Sequence, residues 1–136
     1  MSTKPLIHLA VLLLNIALVS CVKHEDPHPD LGRASEGVYQ VTSIINSNGE
    51  EVFFSEPDYI VQIDRITENL VDISLIFNEV ATVSDVHVSN AGGGLISLFR
   101  SDNSGTLEGI IDFDYLEYDL SSHQRNDRVT IKALKR

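Results

Sequence analysis

The sequence predicts an all-β protein, an antiparallel meander of about eight to nine short strands, and three observations predict it. From Gly37 onward apolar and polar residues alternate with a period of two rather than 3.6. Turn-forming clusters such as Asn46-Ser47-Asn48-Gly49 and Asn90-Ala91-Gly92-Gly93-Gly94 interrupt the alternation, at roughly the eight-to-twelve-residue spacing of a barrel or sandwich. The connections are too short for crossover helices, so consecutive strands must pair antiparallel. No convincing helix is expected. Closing such a meander removes its exposed edges, so a barrel is the expected architecture, with a two-sheet β-sandwich as the alternative.

The strands can be justified in order. Gly37–Ile45 sets Tyr39, Val41, Ser43 and Ile45 against Val38, Gln40, Thr42 and Ile44. Asn48-Gly49 follows, the pair most tolerant of the positive φ that a type I′ hairpin turn needs. Val52–Ser55 returns, and Pro57, which has no N–H for the ladder, ends that pairing. Tyr59–Ile66 and Leu70–Phe77 flank Thr67-Glu68-Asn69. In the second of them Val71, Ile73, Leu75 and Phe77 form an apolar face expected to line the core, while Asp72 and Ser74 point away. Val80–Ser89 groups Val80, Thr82, Ser84, Val86 and Val88 on one side. Leu95–Ser101 leads to the loop Asp102-Asn103-Ser104-Gly105. Thr106–Phe113 places Leu107, Ile111 and Phe113 together, and Leu116, Tyr118 and Leu120 resume out of phase, which requires a bulge or tight turn near Asp114-Tyr115. Arg128–Leu134 closes the series with Val129, Ile131 and Ala133 on one face.

The 136-residue chain carries 20 acidic and 10 basic side chains, a formal charge of −10. A surface of that sign repels phosphate backbones and excludes nucleic acid as a partner. With 43% apolar and 22% charged residues the composition is that of a folded domain. A single cysteine excludes a disulfide framework and a cysteine-rich zinc site.

Three segments are expected: 1–20, 21–36 and 37–136. The first, MSTKPLIHLAVLLLNIALVS, has Lys4 ahead of an apolar run from Leu6 to Val19, the pattern of a secretory signal. As a helix that run of about 14 residues would reach roughly 21 Å, short of the roughly 30 Å hydrocarbon core of a bilayer. It ends in Leu18-Val19-Ser20-Cys21, which resembles the lipobox of bacterial lipoproteins. The resemblance implies cleavage before Cys21, a diacylglycerol thioether on its sulfur, acylation of the new amino terminus, and hence the membrane as a partner. Each acyl methylene buried contributes about 0.8 kcal/mol, so several chains hold firmly. The alternative is a stray cysteine behind an ordinary cleaved signal.

Residues 21–36 are rich in proline and charge and poor in apolar side chains, so a flexible tether is expected. Within it Lys23-His24-Glu25-Asp26 resembles the short acidic export signals of surface lipoproteins of Bacteroidetes, with Lys23, Glu25 and Asp26 as its charged members. A plain solvated linker is the alternative. His24, Asp26, His28 and Asp30 recur at every second residue, as ligands can, but the prolines around His28 favour an extended chain and no metal site is expected there.

The opening Gly37-Val38-Tyr39-Gln40-Val41-Thr42-Ser43, the roughly eight-strand meander and the final Thr130-Ile131-Lys132-Ala133 are similar to small lipocalin-like lipoproteins of Bacteroidetes. The resemblance covers about residues 36–136 and implies a calycin-type barrel. The tryptophan of the longer lipocalin signature is absent, so no binding residue is transferred.

Little in the chain points to chemistry. There is no Gly-x-Ser-x-Gly elbow, and Gly92-Gly93-Gly94 lacks the context of a phosphate-binding loop. Asp85 and His87 share a strand face that is expected to be solvated. Asp112 and Asp114, with Glu117 and Asp119 across a turn, are weak candidates for a calcium patch, and a solvated acidic surface is the expected alternative. No metal, no cofactor and no enzymatic activity are therefore expected. The functional expectation is a protein lipid-anchored to the outer membrane, on its periplasmic face or at the cell surface, that binds a small apolar ligand in its barrel. The rival is an accessory envelope protein that engages a protein partner through a sheet face. A cavity above about 300 Å³ favours the first reading, and a solid core with an exposed apolar strip favours the second.

Overall fold

In the computed structural model, which describes residues 29–136 apart from 56 and 58, the alternating segments form nine strands. They are β1 (Gly37–Ile45), β2 (Glu51–Phe53), β3 (Ile60–Arg65), β4 (Leu70–Ile76), β5 (Val80–Gly92), β6 (Leu95–Ser101), β7 (Gly105–Asp112), β8 (Tyr115–Ser122) and β9 (Asp127–Lys135). From β3 onward each pairs antiparallel with the next. Strand β1 pairs with β3 through Gly37↔Ile63 to Gln40↔Ile60, and with β9 through Tyr39↔Lys135 to Ile45↔Thr130. That second pairing closes the sheet into an eight-strand barrel and settles barrel against sandwich. Strand β2 prolongs the line of β3 along the same edge of β1, from Ser43↔Phe53 to Ile45↔Glu51, and has no second neighbour among the described strands.

Period-two alternation decides what lies inside. Tyr39, Val41, Val61, Ile63, Val71, Ile73, Leu98, Leu107, Ile111, Leu116, Tyr118, Ile131 and Ala133 are buried in one core. Between them stand Asp64, Glu108, Glu117, Asp119 and Lys132 on the outside. A wall carrying such charges cannot face acyl chains, whereas a membrane-spanning barrel presents an apolar outer band. At Gly109 a Cβ would lie 2.4 Å from Tyr118 Cβ and 2.5 Å from the Glu117 carbonyl oxygen, so the close approach of β7 to β8 there requires glycine.

A short helix, α1 (Leu31–Ser35), precedes β1 where a flexible chain was expected. Asp30 caps it, accepting the Arg33 N–H at 2.9 Å, and also pairs with Arg65 at 2.9 Å. The Gly32 N–H donates to the Glu68 carbonyl at 2.8 Å, and a Cβ on Gly32 would sit 2.1 Å from the Thr67 carbonyl oxygen. The Tyr39 hydroxyl donates to the Ser35 carbonyl at 2.9 Å. Burial, with the Asp114 charge added, pushes that phenol up to about 12. These contacts seat α1 at the barrel end formed by the turns at 66–69, 93–94 and 113–114. The expected signal at 1–20, the residues Leu18, Val19, Ser20 and Cys21 that resemble a lipobox, and Lys23, His24, Glu25, Asp26 and His28 lie outside the described residues.

Four local expectations are corrected. The first hairpin is not a type I′ turn at Asn48-Gly49. Gly49 N–H donates to the Asn46 carbonyl at 2.9 Å and Gly49 alone has positive φ, +81°, because the Asn46 carboxamide accepts the Asn48 and Glu50 N–H groups and fixes a wider loop. In β5 the phase switches. Asp85 takes φ +57° and donates its N–H to Asp72 Oδ1, so Val83 packs with Val86 and Val88 while Val80 and Thr82 face out. Phe113 does not join Leu107 and Ile111, because it occupies the β7–β8 turn at φ +51°. On β4, Val71 and Ile73 are buried as expected, but Leu75 is only half-buried and Phe77 joins Phe54 and Tyr59 in an aromatic cluster.

Candidate functional site

The end opposite α1 is the mouth of the barrel, bounded by the loops at 46–50, 77–79, 102–104 and 123–126. Side chains fill the barrel below it, since Tyr39 and Tyr118 are both buried, and burial raises the Tyr118 phenol above its ordinary pKa. Toward the mouth the inward positions of β5, β7, β8 and β9 carry Val83, Leu107, Leu120 and Val129. They form the apolar floor of a pocket of about 470 Å³.

The rim is charged. Arg100 continues the inward alternation of Ile96 and Leu98 on β6, which brings a guanidinium to the top of an apolar stripe. Its Nη2 lies 2.9 Å from Asp102 Oδ2. The other Asp102 oxygen accepts the Ser104 hydroxyl, the Ser104 N–H at 2.7 Å and the Gly105 N–H at 3.2 Å. These hydrogen bonds, from Ser104 above all, with the Arg100 charge, hold the Asp102 carboxyl below the usual range and keep it ionised. Arg125 and Asp127 complete the lining across the mouth, and Arg125 makes no ion pair among the described residues. On the β2–β4 side Phe54, Tyr59 and Phe77 occupy inward positions, with ring centroids 5.0 Å apart for Phe54–Tyr59 and 4.7 Å for Tyr59–Phe77. The pocket therefore combines an apolar floor with a rim of two arginines and two aspartates, Arg100 paired with Asp102 and Arg125 unpaired among the described ion pairs, while the aromatic cluster lies beside it rather than in its lining.

The residues singled out in the sequence fall elsewhere. Asp112 and Asp114 are exposed at the opposite end, beside the β7–β8 turn. Glu117 accepts the Tyr115 hydroxyl, and Asp119 accepts Thr130 and Arg128, so the two acidic pairs do not converge. Among the described residues no three His, Cys, Asp or Glu side chains gather at metal-binding distance. Asp85 and His87 both sit on the outer wall, and His123 bonds Thr106 Oγ1 at 3.1 Å. Sequence reasoning missed Arg100, although an arginine in register with two apolar inward positions was a readable signal. Asp102 falls in a turn-forming loop, whose placement at the rim alternation does not reveal.

A second hollow of about 560 Å³ lies at the α1 end, lined by Pro29, Leu31, Thr67, Glu68, Asn69 and Asn90. Its only apolar side chains are Pro29 and Leu31, and it borders the residues that precede Pro29.

No family model matches the chain, and no curated protein matches it. The fold is similar to the crystal structure of a putative outer membrane protein from Bacteroides fragilis, with TM-score 0.61 and 16% sequence identity. The match covers 79% of this chain and 53% of that one, so the chain spans about half the length of that protein. At this identity the likeness shows a shared barrel.

Proposed function

We propose that the protein is a non-enzymatic binding module of the cell envelope, held to the outer membrane by lipid on Cys21, and that its barrel mouth takes a small amphipathic ligand with an acidic head. The open pocket carries the reading: about 470 Å³ lies within the range of small-molecule sites, and its floor is apolar. The charged outer wall supports anchoring by lipid rather than by strands. The lipobox at the only cysteine, and a similar barrel whose name refers to the outer membrane, support the envelope as the compartment. Acidic Lys23-to-Asp26 chemistry supports display at the surface.

Titration with a fluorescent anionic apolar dye, 8-anilinonaphthalene-1-sulfonate, tests the site. Dye fluorescence should rise saturably with the native protein, fall away in Val83→Trp, which fills the floor, and weaken in Arg100→Ala. Equal dye response from all three proteins would remove the mouth from consideration.

One observation favours a protein partner instead. Among the described residues strand β2 hydrogen-bonds on one side only, and its Phe53 is 76% exposed, so an extended segment could add to that edge. Phe53→Lys should abolish such an association and leave dye binding intact, as read by co-purification from envelope extracts.

A further inference from the structure

We infer that the α1 end of the barrel is a lipid-docking surface, with Phe113 as the side chain that enters the interface of a zwitterionic bilayer. The inference rests on the anchored reading above and adds an orientation and a contact to it. Phe113 is the first of the two residues that turn β7 into β8, and it holds φ at +51°. Glycine is the usual occupant of such a position, because any Cβ crowds the backbone there and a bulky side chain crowds it more. The strain does not serve packing. The ring is 82% exposed, the most exposed large apolar side chain among the described residues. Its neighbour across this end is the turn Gly92-Gly93-Gly94, where even an added Cβ on Gly94 would reach only to 4.0 Å from Phe113 Cζ, so the turn offers no side chain to cover it. Ile66, 47% exposed, stands on the adjacent turn at 66–69, and Leu134, 48% exposed, pairs with Tyr115 just inside the Phe113 turn. An aromatic side chain on a projecting turn, with aliphatic neighbours, matches the chemistry of the bilayer interface.

The origin of the chain selects lipid as the occupant. The described residues begin at this end with Pro29, eight residue steps from Cys21. At full stretch those steps reach about 29 Å. The nine residues of β1 run between this end and the mouth, a rise along the strand of about 26 Å over eight steps. Barrel strands tilt by roughly 40°, which shortens the height between the ends, yet a tether reaching the mouth must still spend most of its length along the barrel wall, whereas the α1 end, where Pro29 lies, is the nearer to the anchor. Charge selects the kind of bilayer. The charge at this end is mixed: Asp112 and Asp114 flank Phe113, while Lys135, whose N–H donates to the Asp114 carbonyl, Arg136 and the helix residue Arg33 stand at the same end, so headgroups that carry both signs match it better than a uniformly anionic leaflet.

The chain has no tryptophan, so Phe113→Trp introduces a sole reporter. The acylated protein, its lipid confirmed by mass, is reconstituted into phosphatidylcholine vesicles with and without brominated acyl chains. The Phe113→Trp emission should shift to shorter wavelength on reconstitution and lose most of its intensity to the brominated lipid, while Phe53→Trp at the mouth stays solvent-like and unquenched. Asparagine adopts this φ readily. Adding Phe113→Asn to Ile66→Trp should therefore keep or raise the melting temperature and yet abolish the quenching that Ile66→Trp shows alone. An unchanged Phe113→Trp spectrum on vesicles that carry the acylated protein would overturn the docking and leave the anchor standing. Equal quenching at 113 and 53, or a blue shift without bromine quenching, which signals contact between protein copies, would also overturn it. Protein that lacks the acyl mass and does not float with vesicles would overturn the anchored reading and the docking with it.

Discussion

Tyr39 ties the helix to the barrel with a single hydroxyl, and the bond should be visible in stability. Tyr39→Phe leaves the Ser35 carbonyl without its donor, at a cost of about 1–2 kcal/mol measured by denaturant unfolding. The same phenol sets an alkaline limit. Its pKa is 10.0 ordinarily and about 12 in the fold, so the folded state favours the neutral form. That contribution is complete below the ordinary value and is lost as pH rises toward the folded one. Native protein should lose stability more steeply than Tyr39→Phe over that alkaline range. In the core, Ile73→Ala should cost about 2–5 kcal/mol, and Leu75→Ala less, because Leu75 is only half-buried at the mouth. Similar melting temperatures for those two variants would contradict the burial difference. Alternation assigned Leu75 to the right face. It could not give depth along the strand, because the position of the barrel end is set by neighbouring loops. Phe113 shows the same limit in another form: a period of two continues through it on paper, and only the turn geometry removes it from the core.

At the scale of elements, the antiparallel meander from β3 onward and the inward faces of β4, β8 and β9 are legible from alternation and turn chemistry alone, whereas the placement of β2 and β3 along one edge of β1 is not. Nor is the phase switch in β5, since it depends on Asp85 meeting Asp72 on the adjacent strand, a contact between residues 13 positions apart. Helix α1 was hidden for a related reason. Five residues that include a glycine have no helical propensity worth counting, and α1 exists because Gly32 fits under Thr67 and Asp30 reaches Arg65. A protein truncated to begin at Gly37 should therefore remain β-rich but melt at lower temperature than one beginning at Pro29, as followed by circular dichroism. Equal melting temperatures would reduce α1 to an ornament of the barrel end. The mouth was legible only in outline: a barrel implied one, and its acidic and basic rim required knowing which end of each strand reaches it.

Taken whole, the barrel is expected to lose stability in acid. Asp30, Glu51 and Asp102 all have carboxyl pKa values held below normal, by Arg65, by Ser43 with Lys132, and by Ser104. A depressed folded pKa contributes stability that is present above the ordinary carboxylate range and lost as pH falls through the folded values. Thermal midpoints should fall on acidification through that range, and Glu51→Gln should flatten the fall. An identical pH profile for the variant would show that the Ser43–Glu51–Lys132 contact adds nothing. The closure of the barrel has a temporal consequence as well. Strand β1 bonds to β9, and the Thr42 hydroxyl reaches the Lys132 carbonyl across 90 positions of sequence. A chain delivered amino end first cannot complete its ring until its final strand emerges, and so long-range a union is intrinsically slow. Until β9 is available, the edge of β1 that pairs with it stays empty and the ring stays open. Release of the last ten residues is then the event that licenses folding, and a chain cut before Asp127 should stay unfolded rather than settle into a smaller ring.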